Sequence, residues 1–165
     1  MKPTCVNDVL SHIKLEDFTH HSVFGALPEP EILWLLEHGE LFSLETGESL
    51  FLHGDRGDSF FVILKGSLEY YKYHDGSYAY IRNYAQGEQI GFVSMIALHN
   101  RVGKALASEE SLIMKVDSNL FHEFHLHAPM EFGILVMNLA RDMARSFREV
   151  NNLIVTLTMN KQSVD

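Results

Sequence analysis

Apolar and polar positions change their rhythm three times along this chain, and each rhythm predicts a different kind of element. Val6 to Phe18 carries a short amphipathic pattern. Leu27-Pro28-Glu29-Pro30-Glu31 places proline and acids in a first helical turn, and Ile32, Leu33, Leu35 and Leu36 supply an apolar face that ends near Gly39. From Leu41 the rhythm shortens to strands divided by glycine. Phe60 to Leu64 is a continuous apolar run, the mark of a strand buried on both faces. Tyr70–His74 and Ser77–Arg82 flank Asp75-Gly76, a two-residue hairpin signal, and Lys104–Ala107 and Leu112–Val116 complete the set. Asp117-Ser118-Asn119 offers caps for a helix to about His127, and Pro129 opens a longer one over Met130 to Thr158. That long helix has two apolar stripes at spacings of four and three. One is Leu139, Met143, Ser146, Val150, Leu153 and Leu157; the other is Met137, Ala140, Ala144, Phe147, Asn151 and Ile154.

The pattern predicts a mainly β protein, a β-roll or jelly-roll barrel flanked by N-terminal helices and a long C-terminal helix. Residues 1–27 are expected as a helical arm and 28–165 as one domain, with the barrel over about 40–117 and the C-terminal helices over about 118–158. A chain of 165 residues, 46% apolar and 21% charged, has enough material for a core without metal or disulfide. Cys5 is the only cysteine, so no intrachain disulfide is possible, and a reducing cytoplasm is the expected compartment. The first residues lack the apolar segment of a signal peptide, and no apolar run approaches the roughly 20 residues of a membrane helix. The net charge of −9 opposes direct nucleic-acid binding.

The stretch Gly87 to Ala107, GEQIGFVSMIALHNRVGKALA, holds the chemistry. A glycine that opens a short helix leaves N–H groups unpaired, and a guanidinium beyond it is able to clamp an anion by paired bonds. This stretch resembles the phosphate-binding cassette of the cyclic nucleotide-binding domain family, whose pattern runs Gly-Glu-Leu-Ala-Leu, a spacer, then Arg and a small residue. Gly91 and Arg101 match it in identity and spacing; Val93, Met95 and Ile96 match in character. Gly47, Gly54-Asp55-Arg56-Gly57-Asp58, the Phe60–Leu64 run and Gly66 resemble the family's block of spaced glycines. The resemblance covers roughly residues 28 to 155. It implies a non-enzymatic ligand-sensing regulatory module with a cyclic nucleotide such as cAMP as ligand and no cofactor. The implied pocket is Gly91, Phe92, Val93, Ser94, Arg101 and Val102.

Phe92 stands where the family has a glutamate that accepts a hydrogen bond from the ribose 2′-hydroxyl and helps hold the arginine. Weakened or altered ligand binding is therefore expected, with Phe92→Glu as the way to restore the acceptor. Val102 replaces a small or hydroxylated residue. In the family the long helix is the dimer interface or the lid on the base, so a homodimer through Met130–Thr158 is expected, with a further protein partner unknown. The alternative is a degenerate dimeric scaffold that binds no nucleotide. Only eight residues, Thr158 to Asp165, follow, too few for the winged helix-turn-helix of the family's transcription factors.

The remaining reactive side chains point elsewhere. His122 and His125 stand at i, i+3 on a helix without an evident third ligand, and His53 and His74 lack the clustered His-x-His of metal-binding barrels. No metal site is expected. No Gly-x-Ser-x-Gly turn is present, and no catalytic residue is assigned. Arg141, Arg145 and Arg148 are interleaved with Asp142 and Glu149 and read as a solvated face.

Overall fold

A computed structural model describes residues 1–162. It contains, in order, β1 (Lys2–Pro3), α1 (Val6–His12), a 3₁₀ segment (Leu15–His20), α2 (Glu29–His38), β2 (Glu40–Leu44), β3 (Ser49–Phe51) and β4 (Ser59–Lys65). Then come β5 (Ser67–His74), β6 (Ser77–Ala85), β7 (Gln89–Ile90), α3 (Phe92–Ile96), β8 (Gly103–Ala107), β9 (Ser111–Asp117), α4 (Ser118–His127) and α5 (Pro129–Gln162). The strands form two antiparallel sheets, ordered β1-β2-β9-β4-β7 and β3-β8-β5-β6. This is the jelly-roll arrangement that the closely spaced strands imply.

The apolar run in β4 explains how the two layers share one chain. Alternate side chains of a strand point to opposite faces. Phe61 and Ile63 enter a core between the sheets with Leu44, Leu68, Ala105 and Ile113, while Phe60, Val62 and Leu64 face a second core under the helices. Hence β4 shows no polar alternation. The hairpin follows its turn chemistry: Asp75 at φ +45° and Gly76 at φ +83° join strands in which Tyr73 pairs with Tyr78 and Tyr71 with Tyr80. The rings of those two pairs lie 5.3 and 5.6 Å apart, so the tyrosines are cross-strand contacts.

The helices close the second core. Asp117 caps α4 by accepting from the Leu120 N–H at 2.9 Å. Val9, Phe18, Phe24 and Leu27 from the first 27 residues are buried in the same core as Leu135 and Leu139 of α5. Asn138, which belongs to neither apolar stripe, donates through Nδ2 to the carbonyls of Val23 and Gly25 at 3.0 and 2.7 Å and ties α5 to that segment. Beyond Ser146 the helix leaves the body, and Phe147 to Met159 are all exposed. Among the described residues no helix is long and apolar enough to cross a membrane.

His21 sits at this junction, 7% exposed, edge-on to Phe18 with ring centres at 5.1 Å and parallel to Phe24 at 6.2 Å. Burial pushes its pKa below the ordinary 6.5, with Asp17 opposing and His20 reinforcing the shift. The folded protein thus keeps this imidazole neutral while the unfolded chain takes up a proton near pH 6.5. Its contribution to stability is complete above that value and is lost as pH falls through it toward the lowered folded value. Urea unfolding at pH 8 and pH 5.5 is expected to show lower stability at pH 5.5, and His21→Gln is expected to flatten that difference. An unchanged pH dependence in the variant counts against His21 as its source.

Candidate functional site

Gly91 and Arg101 are joined directly. Gly91 lies at φ +96°, the left-handed region, as the residue before α3. A Cβ there would meet Arg101 Nη1 at 2.4 Å, so glycine is required for space as well as conformation. Arg101 is 2% exposed. Its Nη1 donates to the Gly91 carbonyl at 2.9 Å, and its Nη2 donates to the Ser59 carbonyl at 2.6 Å and the Ser59 hydroxyl at 3.1 Å. The guanidinium carbon stands 4.8 Å from the centre of Phe51 and 5.3 Å from Phe61. Burial lowers its proton affinity, and the nearby Asp58 and Asp55 act in the opposite sense. The Arg101 backbone is held too: its N–H donates to the Asp55 carbonyl at 2.8 Å, and its carbonyl accepts from the Gly54 N–H at 2.9 Å. The two sequence blocks, Gly54–Asp58 and Gly91–Arg101, are therefore one hydrogen-bonded unit.

The other sequence-predicted residues divide between core and surface. Phe92 is buried, its ring edge-on to Phe60 at 5.5 Å and to Phe121 at 6.0 Å, inside the helical core. Its N–H donates to Gln89 Oε1 at 3.3 Å. A carboxylate at position 92 in this placement would stand among aromatic rings. Ser94 is buried, and its carbonyl accepts from the His99 N–H at 3.2 Å. Val93 is exposed. Val102 is half-buried, and its carbonyl accepts from Tyr73.

A cavity of about 490 Å³ opens between β6, the Gly91 turn and α5. Gly91, Phe92 and Val93 border it, whereas Arg101 lines a second cavity, of about 360 Å³, whose walls include Phe42, Phe51 and Phe61. The charged wall of the first cavity was not legible in the sequence pattern. Arg82 Nη2 binds Glu88 Oε1, while Nη1 donates to Ser146 Oγ at 3.4 Å and lies 3.6 Å from Glu149 Oε2. Its guanidinium covers Tyr84 at 4.2 Å. Burial acts to lower the Arg82 pKa, but the bond and charge of Glu88 outweigh it and the net direction is upward. Burial raises the Tyr84 hydroxyl above the ordinary phenol value. Arg145 pairs with Asp142 on α5. The helix thus meets the β-roll through polar contacts at the cavity, and Met143 and Val150 add apolar surface to its wall. Among the described residues no three His, Cys, Asp or Glu side chains converge on a metal position, and the rings of His122 and His125 stand 6.3 Å apart.

Removing the Arg101 guanidinium leaves the Gly91 and Ser59 carbonyls without their donor, so Arg101→Ala is expected to cost about 2 kcal/mol or more of stability. Gly91→Ala is expected to cost about 1–3 kcal/mol from backbone strain, plus the Arg101 collision. In the Arg101→Ala background only the strain remains. A double-mutant cycle by urea unfolding is therefore expected to show Gly91→Ala costing less there; strict additivity would refute the coupling. Phe92→Glu is expected to lose about 3 kcal/mol or more by placing a carboxylate in the aromatic core.

Among solved structures, a cyclic nucleotide-binding domain from Methylobacillus flagellatus superposes with a TM-score of 0.74 at 22% identity, covering 86% of this chain and 80% of that one. The regulatory subunit of a cAMP-independent protein kinase A from Trypanosoma cruzi, bound to guanosine, superposes with a TM-score of 0.64 at 21% identity, covering 84% and 47%. Both likenesses concern the fold. In sequence, the neuropathy target esterase sws of Drosophila mojavensis is 23% identical over 154 residues, 86% of this chain. The chain spans about a tenth of the length of that relative. The model of the cyclic nucleotide-binding domain matches residues 41–127, more than half of the 165 residues, and the chain belongs to that family.

Proposed function

We propose that this protein is a ligand-sensing regulatory module without chemistry of its own, in which the ligand occupies the cavity between β6, the Gly91 turn and α5. The observation that carries this reading is the makeup of that cavity. Part of its wall belongs to the rigid β-roll, at Tyr84 and Gly91, and part to α5, at Met143, Ser146 and Val150. A molecule touching both fixes the angle at which α5 leaves the body. Its volume of about 490 Å³ lies within the range of small-molecule sites. Family membership supports a cyclic nucleotide such as cAMP as the ligand class. The guanosine in the Trypanosoma cruzi subunit supports a nucleoside ring as an occupant of this fold. The buried Arg101, engaged with Gly91 and Ser59, supports weak binding of cAMP and cGMP.

The output is a surface on α5. Phe147, Leu153, Ile154 and Leu157 are all more than half exposed, an apolar row that a second copy of the helix covers in a parallel dimer. The same row is where a partner protein would act. The interleaved acids on α5 and the net charge of −9 oppose a role in binding DNA. The single cysteine supports a reducing cytoplasm. A degenerate scaffold, dimeric but without ligand, shares the row and lacks the response.

Two measurements test this. Sedimentation at micromolar concentration is expected to give a dimer, and Leu153→Glu is expected to give a monomer with unchanged secondary structure by circular dichroism. A monomeric wild type removes the dimer. A thermal-shift screen of nucleosides and cyclic nucleotides is expected to raise the melting temperature with at least one compound, because binding to the folded state stabilises by RT ln(1 + [L]/Kd). No shift at millimolar concentration removes the sensing role and leaves the scaffold.

A further inference from the structure

We infer that the cavity under α5 selects an unphosphorylated nucleoside-type ligand over the corresponding cyclic phosphate. This rests on the sensing role proposed above and names its ligand class more narrowly. Two of the groups that would hold a phosphate are already engaged, the terminal nitrogens of Arg101 and the first N–H of α3. Arg101 does not border this cavity; it lines the other one, and both of its terminal nitrogens donate to protein oxygens at Gly91 and Ser59. The Phe92 N–H next to Gly91 is taken by the Gln89 side chain.

The cations that do border the cavity are committed as well. Arg82 donates through Nε to the Asn83 carbonyl at 3.3 Å, through Nη1 to Ser146, and through Nη2 to Glu88. Arg145 is paired with Asp142. Two guanidinium groups thus face three carboxylates, Glu88, Asp142 and Glu149, and the wall carries one negative charge in excess. A cyclic phosphate entering here meets like charge without a free cation to offset it, and its desolvation is not repaid. A neutral ligand with O–H and N–H donors meets the reverse situation. Glu149 is two-thirds exposed, and its one cationic contact, Arg82, is at 3.6 Å, so its carboxylate is the most available acceptor. The vicinal hydroxyls of a ribose or an exocyclic amine suit it. Much of the remaining wall, at Tyr84, Ile90, Met143, Phe147 and Val150, is apolar and partly aromatic, as a planar heterocycle requires.

Calorimetric titration of the whole chain with adenosine, guanosine, cAMP and cGMP decides the matter. At least one nucleoside is expected to bind tenfold or more tightly than its own cyclic phosphate, with an affinity nearly independent of salt between about 0.05 and 0.5 M. Glu149→Gln is expected to weaken the nucleoside by about tenfold and to narrow its advantage over the cyclic phosphate, with the ligand-free melting temperature unchanged. A cyclic nucleotide that binds as tightly as its nucleoside, or more so, overturns this inference and leaves the sensing role standing. An unchanged preference in Glu149→Gln overturns the charge balance as its cause. No binding by any of the four compounds at millimolar concentration overturns the nucleoside inference and the sensing role together.

Discussion

A guanidinium removed from water must find acceptors for its N–H groups, because each one left unpaired carries a desolvation cost of about 1–3 kcal/mol. Arg101 finds them for its two terminal nitrogens, on the Ser59 end of β4 and the Gly91 turn, while its Nε is buried without a partner; its backbone is fastened to a third part, the Gly54–Asp55 turn. Many local features follow from that one buried side chain. Gly91 must lack a Cβ because Nη1 occupies the space. Phe51 and Phe61 present ring faces because a weakly hydrated planar cation stacks well on them. Asp55 and Asp58 sit close enough to favour the charged form against burial. The identity and spacing of Gly91 and Arg101 therefore have a sufficient structural cause within the protein, independent of any ligand.

That result bears on how much of the site the sequence disclosed. The spacing of Gly91 and Arg101 is visible in one dimension, and so is the family pattern. The direction of the side chain is not, since an arginine at the end of a loop satisfies the same pattern whether it reaches an anion or a carbonyl. Phe92 illustrates the same limit. As a substitution it reads as a lost ribose acceptor, while in the fold its ring joins Phe60 and Phe121, because the Gly91 turn directs the first residue of α3 inward. The charged wall is illegible in the sequence for a different reason. Arg82, Glu88 and Glu149 come from a strand, a turn and a distant helix, and no periodicity links them.

The larger architecture was far easier to read. Proline with acids at the start of α2, Asp-Gly between β5 and β6, Asp117 before α4 and Pro129 at α5 are local signals whose physics acts within a few residues. The first 27 residues were harder. Their apolar positions share a core with Leu135 and Leu139, more than a hundred residues away, and Lys2–Pro3 pairs with β2 as an edge strand of two residues. A pattern so short has no period to recognise. Asn138 was equally silent, being a polar residue on an apolar helix whose partners are main-chain carbonyls of Val23 and Gly25.

The two ends of α5 obey different physics, and the division falls at the cavity. Up to Leu139 the helix is held by apolar burial and by the two bonds of Asn138, contacts that water and salt affect little. From Asp142 to Val150 it is held by a bond from Ser22 to Asp142 and by the contacts of Arg82 with Ser146 and Glu149, at 3.2 to 3.6 Å and partly solvated, so that each is weak. Past Val150 every residue to Met159 is exposed, and the helix presents an apolar row. A long helix anchored firmly at one end, loosely in the middle and exposed at the other would act as a lever with the middle segment as its pivot. A ligand that hydrogen-bonds Glu149 competes with a 3.6 Å contact to Arg82 worth about 1 kcal/mol or less, so even modest differential affinity is enough to shift the pivot. The same ligand has little purchase on Leu139 or Asn138. The reach of such a response would thus be set by where burial ends along the helix, and the exposed row beyond Val150 would be the part of the protein that feels it.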